Sequence, residues 1–137
     1  MSGAKAGAIA AAGWGLSEPL LGKAFGTSSY SDVRLLGRAV TRRRAWPVVG
    51  FALHVANGAA FGAAFERLGL RGAKQGIAAA QLENLTLWPG MLVVDRLHPD
   101  RRDGRWPRLF SNRRVALYEV TAHALFGAAL GLLSRRR

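Results

Sequence analysis

The sequence predicts an all-α integral membrane protein, with four transmembrane helices formed by tandem duplication of a two-helix unit into a pseudo-twofold bundle. Three observations support this fold class. The pattern His-x3-Gly-Ala-Ala-apolar-Gly occurs at 54–62 and again at 123–131. Half of the 137 residues are hydrophobic and 17 are Gly, a composition typical of closely packed transmembrane helices. The Arg residues gather between and after long apolar segments.

The repeat extends beyond the two histidine patterns. The offset of about 69 residues that separates His54 from His123 also aligns 3–7 with 72–76. Self-similarity at one fixed period indicates repeated structural units. The first two-helix repeat is expected at 1–70, with helices at about 4–25 and 46–66, and the second at 71–137, with helices at about 73–95 and 114–134. We expect both repeats to form a single membrane domain.

Composition excludes several classes of site. The chain has no Cys, so it has neither disulfides nor thiolate metal ligands. On a soluble chain the net charge of +12 would suggest a nucleic-acid partner. Its concentration between apolar segments favours anionic lipid headgroups instead. We therefore expect membrane lipids as partners, no nucleic acid and no cofactor.

The strongest transmembrane segment begins at Trp46-Pro47 and runs for about 20 residues without a formal charge, enough to cross ~30 Å of hydrocarbon. The alternative is a buried helix of a soluble bundle. For the first segment the alternative is a signal peptide, but its apolar run resumes beyond Pro19 and it has a repeat partner at 72–94. Pro19 and Pro89 interrupt the first and third segments at similar depth, which predicts kinks.

The charge of the loops predicts the orientation. Loops 27–45 and 95–114 hold most of the Arg residues, so we expect both in the cytoplasm and both termini outside, in the bacterial inner membrane. The residues expected to bind lipid headgroups are Arg42, Arg43, Arg44, Arg101, Arg102, Arg113 and Arg114.

Each loop carries one further feature. In the first, Ser31 and Asp32 would cap a short helix from Val33 to Val40, which lies on the membrane surface or forms a solvated connector. In the second, His98 is expected in solvent or at a lipid phosphate.

The glycines of the histidine patterns stand four residues apart, on one stripe of each helix. Small residues at this spacing let transmembrane helices approach closely. We expect the second and fourth helices to pack against each other through Gly58, Gly62, Gly127 and Gly131.

Polar residues also lie inside the apolar segments. An ionisable group at membrane depth is costly, so it faces the bundle interior and pairs. The cluster consists of Glu18, His54, Asn57, Glu83, Asn84, Glu119 and His123. Glu119 and His123 are four residues apart on one helix face and can hydrogen-bond each other. The repeat places His54 and His123 at equivalent positions.

Several interpretations of this cluster remain open. The polar groups form interhelical hydrogen bonds that only stabilise the packing of the helices. Alternatively, they relay protons or bind a cation. Two His and a carboxylate would also suit Zn or Fe, although no metal is assigned, and Glu with His would suit acid–base chemistry on a lipid. The sequence lacks a P-loop, Gly-x-Ser-x-Gly and His-Glu-x2-His, so no catalytic residue is assigned.

The stretch Trp14-Gly15-x2-Glu18-Pro19 closes an Ala/Gly-rich first helix. It resembles the start of the YagU-type family of small bacterial inner-membrane proteins, in which a Trp-Gly followed by Glu and Pro also ends the first crossing. The resemblance covers the first crossing only. It implies a multi-pass inner-membrane protein without a well-defined biochemical activity.

Together these observations predict a small multi-pass inner-membrane protein with a structural or accessory role and no catalysis. The alternative is a proton- or ion-coupled transporter or channel that uses the Glu/His cluster. Such a transporter would be homo-oligomeric, because four short helices enclose little volume.

Overall fold

A computed structural model describes residues 1–134, and its regular structure is helical. The helices are α1 (Gly3–Phe25), α2 (Asp32–Val40), α3 (Trp46–Arg67), α4 (Gly72–Leu87), α5 (Met91–Leu97), α6 (Pro99–Arg102) and α7 (Arg113–Leu133). The described residues contain no strand, which confirms the all-α prediction. The bounds of α1, α3, α4 with α5, and α7 agree closely with the long helices expected from the sequence.

Local sequence explains where the helices begin and end. The Ser31 hydroxyl accepts a hydrogen bond from the Arg34 N–H (3.0 Å) and begins α2, as predicted. The Asn112 side chain does the same for α7, accepting from the Arg114 N–H at 3.0 Å. Gly26, with φ of +68°, ends α1 in the left-handed conformation that glycine tolerates best.

The two prolines act differently. Pro89 lies in a 3₁₀ turn, Trp88–Gly90, which joins α4 to α5 without ending the helical run. Pro19 lies inside α1, which continues to Phe25. Helical structure therefore persists past both prolines.

Close glycine contacts hold α1 against α3. A Cβ atom on Gly7 would overlap the carbonyl oxygen of Gly58, and a Cβ on Gly3 would overlap that of Gly62. A Cβ on Gly62 would overlap the Gly3 carbonyl in turn. The two backbones touch along this stripe, so no larger side chain fits there.

The same kind of contact joins α4 to α7. A Cβ on Gly76 would overlap the Gly127 carbonyl, and a Cβ on Gly131 would overlap the Gly72 carbonyl. The predicted packing of the second helix on the fourth through these glycines is therefore wrong. The stripes of α3 and α7 each face a different partner, α1 and α4 respectively, because those helices supply matching glycines.

The remaining packing is uneven. Helix α1 also packs against α7, whereas α3 and α4 form no comparable interface within residues 1–134. Helix α2 crosses α3 closely, since a Cβ on Gly50 would overlap the Val33 carbonyl and one on Gly37 the Trp46 carbonyl. Helix α2 is thus part of the packed structure and not a solvated connector, one of the two alternatives that the sequence suggested.

Many large apolar side chains on the outer faces of the long helices are exposed. They include Leu16, Leu20, Val48, Leu82, Leu85, Leu117 and Leu125. Within residues 1–134, two helices, α3 and α7, are long and apolar enough to cross a membrane. Only 28% of the most apolar window of α3 is buried, although the core helix of a soluble protein is mostly buried. Helix α4 has 16 residues, fewer than the roughly 20 that a span needs.

We expect Gly7→Ala to lower the free energy of unfolding by about 1–3 kcal/mol, because the new methyl group overlaps the Gly58 carbonyl. Gly76→Ala should act similarly through the Gly127 carbonyl. Gly13→Ala is the matched control, since a Cβ there meets no atom within 4 Å. It should be neutral or stabilise the helix by up to about 1 kcal/mol. Thermal unfolding in detergent measures all three, and equal effects at Gly7 and Gly13 would contradict the packing.

Candidate functional site

A cavity of about 260 Å³ lies between α1, α2, α3, α4 and α7, and we call it the chamber. Its polar lining consists of Asp32, His54, Asn57, Glu83, Asn84, Glu119 and His123. The structure thus brings together every member of the polar cluster expected from the sequence except Glu18. Glu18 lies outside the lining and accepts a hydrogen bond from Asp32, which lines the chamber. The other walls are mainly apolar or aromatic, including Trp14, Leu36 and Phe126.

The two histidines share one aromatic neighbour. The Trp14 ring stands edge-on to both imidazoles, with centroid distances of 5.0 Å to His54 and 4.8 Å to His123. His123 Nδ1 lies 2.8 Å from the backbone oxygen of Glu119 and 3.4 Å from its carboxylate. His54 is 6% exposed, and its Nε2 is buried without a hydrogen-bond partner. The backbone of Ala11 on α1 lies within hydrogen-bonding reach of the same ring.

A network of carboxyl and hydroxyl groups continues from the chamber. Glu18 accepts hydrogen bonds from the Asp32 N–H at 2.6 Å and the Tyr118 hydroxyl at 3.2 Å. The Tyr30 hydroxyl donates to Glu119 and lies 3.3 Å from Asp32 Oδ1. The other oxygen of Asp32 is buried without a hydrogen-bond partner. Three carboxyl groups, from Glu18, Asp32 and Glu119, are thereby held close together.

These carboxyl groups have no cation beside them in the chamber lining, which contains neither Lys nor Arg. Burial raises the pKa of Asp32 well above its ordinary value, and the negative charges of Glu119 and Glu18 raise it further. A buried carboxyl group without a compensating cation either holds a proton itself or requires a cation bound beside it. The chamber can therefore take up positive charge.

The chamber opens between α3 and α4. Asn57 is exposed there and its side chain hydrogen-bonds Glu83. A wider groove of about 680 Å³, the α3/α4 groove, continues outward from this pair. Asn57, Glu83 and Leu87 line both spaces, so the groove and the chamber are continuous.

A metal site is not formed. Within residues 1–134, no group of three or more His, Asp or Glu is arranged so that it could hold a metal ion. The imidazoles are separated by Trp14, and the carboxyl groups are bonded to Tyr30, Tyr118 and the α2 backbone.

The two Arg-rich loops join into a cap over the chamber, formed by α2 and residues 95–112. Asp100, which is 0% exposed, lies 2.8 Å from Arg34 Nε and 3.5 Å from Arg38 Nε. Burial alone would raise the pKa of Asp100, but the hydrogen bond and charge of Arg34 and the charge of Arg38 lower it below its ordinary value. This ion pair fixes α2 to the second loop.

His98 belongs to the same cap. It is buried rather than solvated or at a lipid phosphate, as the sequence had suggested. Its Nε2 lies 3.1 Å from the Leu35 carbonyl, and its Nδ1 accepts from the Asp100 N–H at 3.2 Å. An acceptor nitrogen carries no proton, so the ring is neutral with its hydrogen on Nε2. Trp106 stacks on it at 4.5 Å.

Most of the arginines expected at lipid headgroups are exposed: Arg42, Arg43, Arg44, Arg102, Arg113 and Arg114. Arg101 differs, because its Nε lies 3.0 Å from Asp95 and its guanidinium also bonds the Trp106 carbonyl. Arg101 therefore stabilises the second loop.

Sequence reasoning missed four residues of the network: Trp14, Tyr30, Asp32 and Tyr118. The sequence indicates Asp32 only as a helix cap. Tyr30 lies in the loop between α1 and α2, and no hydrophobic periodicity in that loop indicates which side chain packs inward. Tyr118 precedes Glu119 and faces the same core, which is the one signal that would have found it.

Comparison with family models, with curated proteins and with solved structures gives no match to this chain. The resemblance of the Trp14 to Pro19 stretch to the YagU-type family therefore stays a prediction.

We expect the stability of the cap to fall as the pH drops below about 6.5, the ordinary pKa of histidine. Burial lowers the pKa of His98 in the folded chain, despite Asp100 nearby, so the unfolded chain binds the proton first. The slope is at most about 1.4 kcal/mol per pH unit, between the folded and unfolded pKa values.

His98→Asn keeps an acceptor for the Asp100 N–H but cannot titrate. The temperature of thermal unfolding, measured between pH 5 and 8, should therefore fall less steeply toward low pH for this variant than for the unchanged protein. Identical pH profiles would show that His98 is not the titrating group.

Proposed function

We propose that this chain is a multi-pass inner-membrane protein that binds and transfers protons or small cations through the chamber. One observation carries the proposal. Asp32, Glu83 and Glu119 line the chamber together with His54 and His123, and no Lys or Arg lines it. Such a set needs positive charge from outside the protein, and imidazole beside carboxyl can exchange protons near neutral pH.

The exposed apolar surface supports a membrane location. Leucine and valine side chains cover the outer faces of α1, α3, α4 and α7, where water would make them costly and lipid would not. Four spans follow if α1 and the continuous run from α4 through α5 cross the bilayer beside α3 and α7. Loops 27–45 and 95–114, at the cap end, hold most Arg residues, which favours a cytoplasmic cap by the positive-inside rule.

The glycine contacts support a tandem duplication. The α1–α3 stripe uses Gly7 against Gly58, and the α4–α7 stripe uses Gly76 against Gly127. Both pairs are related by the offset that relates His54 to His123. The same backbone contact thus recurs in each proposed two-helix unit.

Packing alone accounts poorly for the polar cluster. Groups that serve only as interhelical hydrogen bonds are satisfied by each other. Here a space of about 260 Å³ separates the polar walls, and three carboxyl groups line it without a Lys or Arg. At about 30 Å³ per water molecule, this space holds several waters or ions.

Proton flux into liposomes tests the proposal. We expect vesicles containing the protein and an internal pH dye to acidify faster than protein-free vesicles under an imposed membrane potential. Glu119→Gln and Glu83→Gln should each reduce this flux at least tenfold, because each removes a titrating carboxyl group from the chamber.

Asp103→Asn is the matched control, since it changes an acid to its amide in the cap, with 36% of the side chain exposed. It should leave the flux unchanged. Thermal unfolding of each variant checks that the fold is kept. Flux equal to that of protein-free vesicles would overturn the proposal and leave the accessory role.

A further inference from the structure

The α3/α4 groove is the one side of the helix assembly, within residues 1–134, where neighbouring long helices do not pack. Helices α1 and α3, and α4 and α7, meet through glycine contacts, and α1 packs against α7. The pair α3 and α4 instead diverges around a space of about 680 Å³. In a bilayer this groove faces hydrocarbon, so a lipid-soluble molecule can reach the chamber without crossing the cap.

The groove changes character along its length. Its outer part is apolar and is lined by residues such as Phe61, Ala64, Leu68, Ala78 and Leu82. Its inner end is the Asn57–Glu83 pair, beyond which lie the carboxyl and imidazole groups of the chamber. A molecule that fills both spaces has a hydrocarbon tail and a compact polar head.

Charge identifies that head. No Lys or Arg lines the groove or the chamber, and Glu83 lines both. A phosphate headgroup would meet carboxylates without a compensating cation, which is unfavourable at low dielectric. An ammonium group would pair with Glu83 and reach acceptors on Asn57 and His54.

We propose that the chamber takes the head of an amphiphilic amine, a protonated amino group on a hydrocarbon tail, and that the tail lies in the α3/α4 groove. This inference rests on the proposed function, because it names the cation that the chamber receives. The chain would then admit its ligand sideways from the bilayer.

Equilibrium binding of radiolabelled dodecylamine tests the inference, with the whole protein in phosphatidylcholine nanodiscs and empty nanodiscs subtracted. We expect saturable binding of one molecule per chain. Dodecanol, which keeps the tail, and ethylamine, which keeps the head, should each compete at least tenfold more weakly than unlabelled dodecylamine. Equal competition by dodecanol would overturn the inference, because the head would not be recognised.

Two substitutions locate the site. Glu83→Gln removes the charge at the junction, and Ala64→Phe narrows the groove at an exposed alanine, so we expect each to weaken binding at least tenfold. Ala56→Phe adds the same ring on an exposed face of α3 outside both spaces and should not change binding. Unchanged binding in Ala64→Phe would contradict the groove as the tail site.

A second copy of the chain is the other possible cover for the groove. The sequence has no Cys, so Ala64→Cys introduces one reactive thiol there. Efficient disulfide formation between copies in membranes would show that protein covers the groove and would overturn the inference.

The proton-flux assay uses no amphiphile, so intact flux without amine binding overturns this inference alone. Loss of both overturns the proposed function as well.

Discussion

The structure depends on the backbone contact between glycine stripes. Helix α3 meets α1 where Gly58 faces Gly7, and α7 meets α4 where Gly127 faces Gly76. His54 and His123 stand one helical turn before the glycines of α3 and α7, so the same contacts fix the depth and direction of both imidazoles. A side chain on any stripe would separate a helix pair and displace a histidine with it. The polar site is therefore positioned by the smallest residues in the chain.

Electrostatic compensation differs between the two halves of the molecule along its long axis. In the cap, Asp100 has Arg34 and Arg38 beside it, and His98 has a partner for each ring nitrogen. In the chamber, carboxyl groups meet hydroxyl, amide and imidazole groups and each other. The arginines are abundant but stay outside the chamber lining. This separation of charge distinguishes a region of paired charges from a region whose carboxyl groups have no cation beside them.

The positions of the long helices could be predicted from the length of the apolar segments. The members of the polar cluster could be predicted because ionisable groups are costly in apolar surroundings. Trp46-Pro47 begins α3, and groups such as Glu83 and Glu119 turn inward because an apolar outer surface is costly for them. The partner of each glycine stripe could not be predicted, since a stripe shows that a backbone approaches but not which one. Tyr30, Asp32 and His98 were also missed as interior groups, because their positions depend on how loops dock.

Trp14 fills one side of the space between the histidines, whereas Glu83 stands at the mouth on the other side. Under the proposed duplication these two residues occupy the same position of the repeat. A dimer of identical two-helix chains must carry the same residue at both positions, giving either two bulky rings or two acids. Fusion of the units into one chain removes that constraint. Under that proposal, the unequal walls of the chamber are an arrangement that a symmetric homodimer of two-helix chains could not reach.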